Sequence, residues 1–300
     1  MSKSWKYFIA FLFSTLLLAL LANISLLNSK LHLVFCDVGQ GDGILIYQKS
    51  VQIVVDAGPG NAYLKCLSEH MPFWDRKIEL VVLTNPDRDH YGSMIEIFRR
   101  YKVESFISPG IEKEDASFIV LEHEAAREKA TISSLVAGQD IKIGEIALQT
   151  LWPTKDWVVQ QTVPQYPSAE SVVLGAFLPA KPESVNQTSL VFKLSFGEFD
   201  ALLTGDVAPP ATDMLALSEH QRVEWEVLKV PHHGSKNGLT ESMVKSTNPK
   251  LAIISSGKNN RYGHPHQETL KLLEGIKTLR TDLDGEIEIV TDGKTWQLSE

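Results

Sequence analysis

In Leu83-Thr-Asn-Pro-Asp-Arg-Asp-His90 an apolar run ends and, within seven residues, Asn85, Asp87, Asp89 and His90 follow one after another. The residues before it, Glu79–Leu83, read as a buried strand, and those from about Gly92 to Tyr101 as a helix. A strand-to-helix loop of this kind aims several side chains at one point from a fixed scaffold. Carboxylates and an imidazole so closely spaced repel or compete unless a cation gathers them, which points to a metal site. The plainer reading is a capping loop in which Asp87 or Asp89 is a helix N-cap.

Other strand ends decide between the two. Asp56 closes the apolar run Val51–Val55 and is followed by Ala-Gly-Pro-Gly60, and Asp206 closes Ala201-Leu-Leu-Thr-Gly205. His232 and His233 end the strand Glu226–Val230, and His264 and His266 follow the stretch Ser255–Gly263. Turn chemistry does not explain ligand-type residues at four separate strand ends. It is explained if these groups share one edge of the sheets.

Working outward, Leu31–Phe35, Gly43–Tyr47 and Val51–Val55 read as consecutive strands, followed by a helix at Ala62–Glu69, the strand at 79–83, the helix at 92–101 and a strand at Val103–Ile107. A surface helix at Glu114–Lys129 and a hairpin through Gly144 at Ile141–Leu151 close the first half. The second half repeats the order: a hairpin of Ser189–Ser195 and Phe199–Leu203, a helix at Pro209–Glu219, strand Glu226–Val230, helix Thr240–Ser246, strand Leu251–Ser255, helix His266–Ile276, and terminal strands Glu286–Val290 and Lys294–Leu298. Two such halves with sheets facing and helices outside make a four-layer αββα sandwich, an α/β fold. Between them, at about 152–187, five prolines and little periodicity predict a loop insert near the site.

These residues carry a resemblance. The phrases Phe35-Cys-Asp-Val-Gly-Gln-Gly-Asp42, Val54-Val-Asp-Ala-Gly58, Leu203-Thr-Gly-Asp206, Pro231-His-His-Gly-Ser235 and Asn259-Asn-Arg-Tyr-Gly-His-Pro-His266 resemble, in order and spacing, the metallo-β-lactamase superfamily. Within it they resemble the extracytoplasmic hydrolase domain of the ComEC late-competence proteins of DNA uptake, over about Leu31–Leu298. The superfamily holds two metals with a His-x-His-x-Asp-His run, a later histidine, a bridging aspartate and a final histidine. In this chain Asn85 and Asp87 replace the first two histidines, and the region of the later histidine, Asn186-Gln-Thr-Ser189, offers amides and hydroxyls. The resemblance therefore implies ligands among Asp87, Asp89, His90, Asp206, His232 and His233, with Asn85 a weak one. One tightly held ion, zinc or manganese, is expected, together with a second, labile ion in an oxygen-rich position. Asp56 and Asp42 are expected behind the ligands, orienting them. His32, His70, His123 and His220 are read as incidental.

The reaction expected is hydrolysis at a phosphodiester, with Asp89 aiding the attacking water and His233 or His266 protonating the leaving oxygen. Residues 229–266 hold five lysines and Arg261 against Glu241, a formal +5 in a chain of net charge −8. Lys236, Lys258, Asn260, Arg261 and Tyr262 are therefore candidates to hold a nucleic-acid backbone. The resemblance implies DNA, single-stranded, as substrate, and a separately encoded channel as partner. Two alternatives are a small-molecule hydrolase, such as a lactonase or cyclic-nucleotide phosphodiesterase, and a metal-poor module that binds DNA or a partner without cutting.

Residues 1–29 stand apart from the domain at 31–300. Lys3 and Lys6 precede a nearly unbroken apolar run from Tyr7 to Leu27, and no acid occurs before Asp37. About 20 apolar residues span a bilayer as a helix, so the run predicts an N-terminal signal anchor in the cytoplasmic membrane, with the domain outside the cytoplasm. Cleavage and secretion are the alternative. Cys36 and Cys66 fall on different elements and read as buried free thiols.

Overall fold

The computed structural model describes residues 3–27, 29–111, 113–162, 185–217 and 224–299, with side chains left out for 18–27 and 160–162. After helix α1 (Lys3–Leu27) come β1 (Leu31–Phe35), β2 (Gly43–Gln48) and β3 (Val51–Ala57), then α2 (Ala62–His70) and β4 (Lys77–Val82). The short α3 (Arg88–Tyr91), α4 (Met94–Arg100), β5 (Lys102–Ile107), α5 (Ala116–Glu128) and β6 (Thr131–Ser133) follow. The second part contains β7 (Asp140–Ile143), β8 (Ile146–Trp152), α6 (Lys155–Thr162), β9 (Val191–Phe196), β10 (Phe199–Leu203), α7 (Ala211–Leu217) and β11 (Val227–Lys229). It ends with α8 (Glu241–Thr247), β12 (Leu251–Ile254), α9 (Gln267–Leu272), β13 (Lys277–Arg280), α10 (Thr281–Asp284), β14 (Ile287–Thr291) and β15 (Trp296–Leu298).

Two sheets form, in the orders β15-β14-β1-β2-β3-β4-β5-β6 and β13-β12-β11-β10-β9-β8-β7. Strand alternation explains the layers. Leu33 and Phe35 of β1 point into a core shared with Leu148, Phe192, Leu194 and Leu203 of the other sheet, while Val34 and Cys36 point outward under α2, α4 and α5. A third cluster, with Trp152, Trp225, Leu228 and Ile254, lies beneath α7, α8 and α9. Both faces of each sheet are covered, as the sandwich requires.

The halves differ from their reading in the sequence. The hairpin β7–β8 joins the second sheet, and β14–β15 return to the first, where Phe35 pairs with Ile287 beside β1. Short β6 and β13 were not expected: the first carries three exposed residues and the second lacks an apolar alternation, so neither has a readable period. Lys155–Thr162 is helical where a loop was expected, while residues 163–184 of that insert and His220 lie outside the described residues.

The cysteines also correct the sequence reading. Cys36 and Cys66 form a disulfide that staples α2 to the end of β1, because the strand end and the helix bring their Cα atoms to 6.0 Å. Closing a loop of this length contributes about 3–4 kcal/mol by the chain-entropy argument.

The N-terminal apolar run forms one helix, α1. Among the described residues, no helix is long and apolar enough to cross a membrane. The expectation of a transmembrane span is thus not supported.

His32 and His70, read as incidental, anchor a lateral network. His32 Nδ1 lies 2.6 Å from Glu288, Tyr47 donates to Glu288 at 3.1 Å, and His70 Nε2 lies 2.6 Å from Glu286. The hydrogen bond from His32 holds the Glu288 carboxyl down at about 2, against its burial. A depressed carboxylate stabilises the fold above its unfolded pKa and loses that contribution as pH falls through the folded value. Glu288→Gln should therefore melt several degrees below wild type at pH 7, with the gap closing as melting curves are taken from pH 5 down to pH 2.

Candidate metal centre

The functional side chains gather at one edge, where β3, β4, β10, β11 and β12 end. Asp56 terminates β3 in the left-handed region at φ 56° and accepts from the Thr84 backbone N at 2.7 Å and from its hydroxyl at 2.5 Å. Its Oδ2 also accepts from His90 Nδ1 at 2.8 Å. This fixes the His90 tautomer and turns Nε2 inward, 3.2 Å from Asp206 Oδ2. After β11, His232 and His233 both adopt left-handed conformations, at φ 52° and 53°. The tight turn drives their rings in different directions. His233 Nδ1 donates to the Ser255 carbonyl at 3.0 Å, and its Nε2 lies 3.4 Å from both Asp89 Oδ2 and Asp206 Oδ1.

Close backbone approach locks these loops together. A Cβ on Gly41 would sit 2.2 Å from the Asp89 carbonyl, and one on Gly205 2.6 Å from the Thr84 hydroxyl. Only glycine fits either place. The Asp42 N–H donates to the Asp89 carbonyl at 3.2 Å and the His232 N–H to the Gly205 carbonyl at 3.2 Å.

Asp42, His90, Asp206 and His233 form a buried group whose polar atoms lie within 4.8 Å of one another. His90 Nε2, His233 Nε2, Asp206 Oδ1 and Asp42 Oδ1 are buried with no hydrogen-bond partner. Such atoms are costly unless something satisfies them. Asp42 approaches from behind: Oδ1 is 3.3 Å from His233 Nδ1, and Oδ2 pairs with Lys229 Nζ. The two inward Nε2 atoms, Asp206 and Asp89 thus outline one mixed nitrogen and oxygen position, a donor set that fits a divalent zinc or manganese ion.

The electrostatics agree. Burial alone would raise the Asp206 carboxyl, but the His233 and His90 charges hold it well below its ordinary value. Burial likewise opposes the charged form of His233, yet Asp206 and Asp42 lift it to about 10. This corner is built to hold positive charge. His264 is the contrast: burial, then His233 and His232, push it down to about 4.

The structure does not bring every candidate into the cluster. Asn85 is fully buried, but its Nδ2 donates to Asn186 Oδ1 at 2.9 Å and Ser189 Oγ at 3.0 Å, and its Oδ1 accepts from the Asp87 N–H at 3.0 Å. Asp87 pairs instead with Lys113 at 2.5 Å. His232 lies 3.9 Å from Asp206 Oδ2, on the side where Asn186 Nδ2 is 3.4 Å from its ring. Asn85, Asn186 and Ser189 thus form an amide and hydroxyl network that reaches the His232 ring. His266 occupies the N-cap position of α9 without a side-chain capping hydrogen bond, its Nδ1 buried and its ring 5.0 Å from His264.

The basic face is smaller than its sequence suggests. Lys229 is wholly buried against Asp42 and donates to the Gly205 carbonyl at 2.9 Å, while Lys245 pairs with Glu241 and Lys250 with Glu226. Asn260 spends its amide on its own loop, donating to the Gly257 and His264 carbonyls and accepting from Tyr262 and His264 N–H. Lys236, Lys258 and Arg261 remain exposed. The Arg261 guanidinium lies 5.0 Å from the centre of the half-exposed Tyr262 ring, which stacks on His264 at 5.7 Å.

Sequence reasoning counted Lys229 as surface charge. Its signal was its place among the apolar residues of Val227–Val230, inside a buried strand. His264 was noted only as ligand-type, and Asn186 as a residue unable to replace a histidine.

The fold and this edge define a metallohydrolase sandwich, and comparison with known proteins agrees. The metallo-beta-lactamase superfamily profile matches residues 36–258. The chain belongs to that superfamily. It is similar to ComE operon protein 3 of Bacillus subtilis (strain 168), at 32% identity over 87% of this chain and 33% of that protein. It is also similar to Recombination protein 2 of Haemophilus influenzae, at 26% identity over 84% of this chain and 28% of that one. The chain thus spans about a third of the length of these relatives. Among solved structures, the metallo-beta-lactamase fold protein YhfI of Bacillus subtilis shares the fold, with TM-score 0.53 and 11% identity over 90% of this chain and all of that one.

If Lys229 holds Asp42 behind the two imidazoles, Lys229→Met should weaken metal binding at least tenfold. Equilibrium dialysis against manganese would measure it, with circular dichroism checking that the fold persists.

Proposed function

We propose that this domain is a divalent-metal phosphodiesterase acting on single-stranded DNA outside the cytoplasm, in the service of DNA uptake. The observation that carries this reading is the buried, unpartnered meeting of His90 Nε2, His233 Nε2 and Asp206 beside the exposed Arg261 and Tyr262. A divalent ion supplies charge stabilisation at phosphorus and activation of water when bound. Asp89, Asp206, His90 and His233 would hold it. Asp89 is the partly exposed member, its side chain 30% accessible, which supports a role in accepting a proton from attacking water. His233 has its Nδ1 committed to Ser255 and its Nε2 facing the cluster, which leaves His266 as the proton donor to the leaving oxygen. Tyr262 offers a ring for a base to stack on, and Arg261, Lys236 and Lys258 offer charge to the backbone.

The proposed location, at the outer side of the cytoplasmic membrane with α1 as its attachment, rests on the Tyr7–Leu27 run behind two lysines, and on the disulfide, a feature of oxidising compartments. The competence-related name of one relative, Competence protein ComA of Neisseria gonorrhoeae, and the resemblance to the ComEC domain support a role in uptake with a channel as partner. A binding module that does not cut is the second reading, favoured by the amides of Asn85 and Asn186.

In manganese, the purified chain should cleave single-stranded DNA and bis-p-nitrophenyl phosphate. Asp206→Ala should lower both rates by at least a thousandfold, and retained full activity would refute the mechanism. His266→Gln should slow DNA cleavage far more than release of nitrophenolate, a leaving group that needs no proton. Manganese binding without turnover of either substrate would favour the binding module.

A further inference from the structure

The edge opposite the metal centre carries a second feature. β3 and β4 run parallel with Ile53 beside Leu80, β5 starts with Lys102 beside Lys77, and His32, the second residue of β1, lies beside Tyr47. The start of β1, the β2–β3 tip and the loop before β4 therefore share one edge. Hydrogen bonds join them: Gln48 Nε2 to the Ser29 carbonyl at 2.8 Å, Gln52 Nε2 to Asp75 at 3.3 Å and the Lys102 N–H to the Arg76 carbonyl at 2.7 Å. On that edge Phe73 and Trp74 are 76% and 51% exposed, packed edge to face at 4.8 Å. Exposed Lys30, Arg76 and Lys102 share that edge, Arg76 lying 5.5 Å from the centre of the Tyr101 ring, while Lys49 pairs with Glu145 at 3.3 Å.

Adjacent exposed aromatics amid cations suit the interface of a membrane, where rings enter the headgroup region and cations meet anionic lipid. Helix α1 indicates lipid as the occupant. Its chain enters the domain at this edge, and Trp5, Tyr7, Phe8, Phe11, Phe13 and Leu16 are exposed around its circumference. A protein groove covers one stripe of a helix, whereas acyl chains cover all of it.

We propose that the Phe73-Trp74 loop is a lipid-contact site for anionic membranes, which seats the domain on its base and turns the metal edge away from the bilayer. The five-residue step from Val51 to Asp56 along β3 alone separates the two edges by about 17 Å. The inference rests on the membrane location proposed above.

The test uses the full chain with vesicles of phosphatidylglycerol and phosphatidylethanolamine bearing brominated acyl chains. The difference in fluorescence between wild type and Trp74→Phe isolates Trp74. Its emission should be blue-shifted and at least halved by the bromines, and the quenching should weaken on phosphatidylcholine alone. Phe73→Ser with Trp74→Ser should leave turnover of bis-p-nitrophenyl phosphate unchanged. If the chain floats with the vesicles while Trp74 emits as in water, the lipid contact is refuted and the membrane location stands. If it does not float at all, both fall.

Discussion

Two imidazole nitrogens and a carboxylate oxygen that are buried without partners impose a demand the rest of the edge meets. Removing such groups from water costs several kcal/mol unless a cation or donor satisfies them. The surrounding contacts hold them in place nevertheless: Asp56 fixes His90, the Ser255 carbonyl fixes His233, and Asp42 with Lys229 closes the space behind. Left-handed backbone at Asp56, His232 and His233 is a further cost accepted at the same point. Strain and desolvation concentrated at the ends of several strands mark where the fold was shaped by something other than stability.

A second network stands beside this one. Where the first presents inward-facing Nε2 atoms, the second consists of amides that hydrogen-bond one another and reach His232. Amides are weak ligands beside imidazole, and their hydrogen bonds would have to break before a cation could enter there. The departure at Asn85 is therefore matched by Asn186 and Ser189, which fill its hydrogen-bonding capacity. The site is asymmetric by construction.

Much of this was legible in the sequence. Strands with a clear apolar period and ligand-type residues at their ends gave the sandwich and the shared edge, as Asp56, Asp206 and His233 illustrate. Three things were not legible, each because it depends on distant pairing. Nothing local says that β14 returns beside β1, that Cys36 meets Cys66, or that Asp42 is the partner Lys229 finds in the interior. Side-chain direction was the other loss. Asp87 sits two residues from Asp89, yet Lys113 draws it away, and Asn260 lies in a basic stretch but spends its amide on its own loop.

The central claim is a single metal position between His90 and His233, and counting metal in the purified chain tests it most directly. Elemental analysis after dialysis, combined with anomalous diffraction from crystals, should find one ion per chain, held by His90, His233, Asp206 and Asp89. Two stoichiometric ions, or one ion seated at Asn85 and Asp87, would contradict the account.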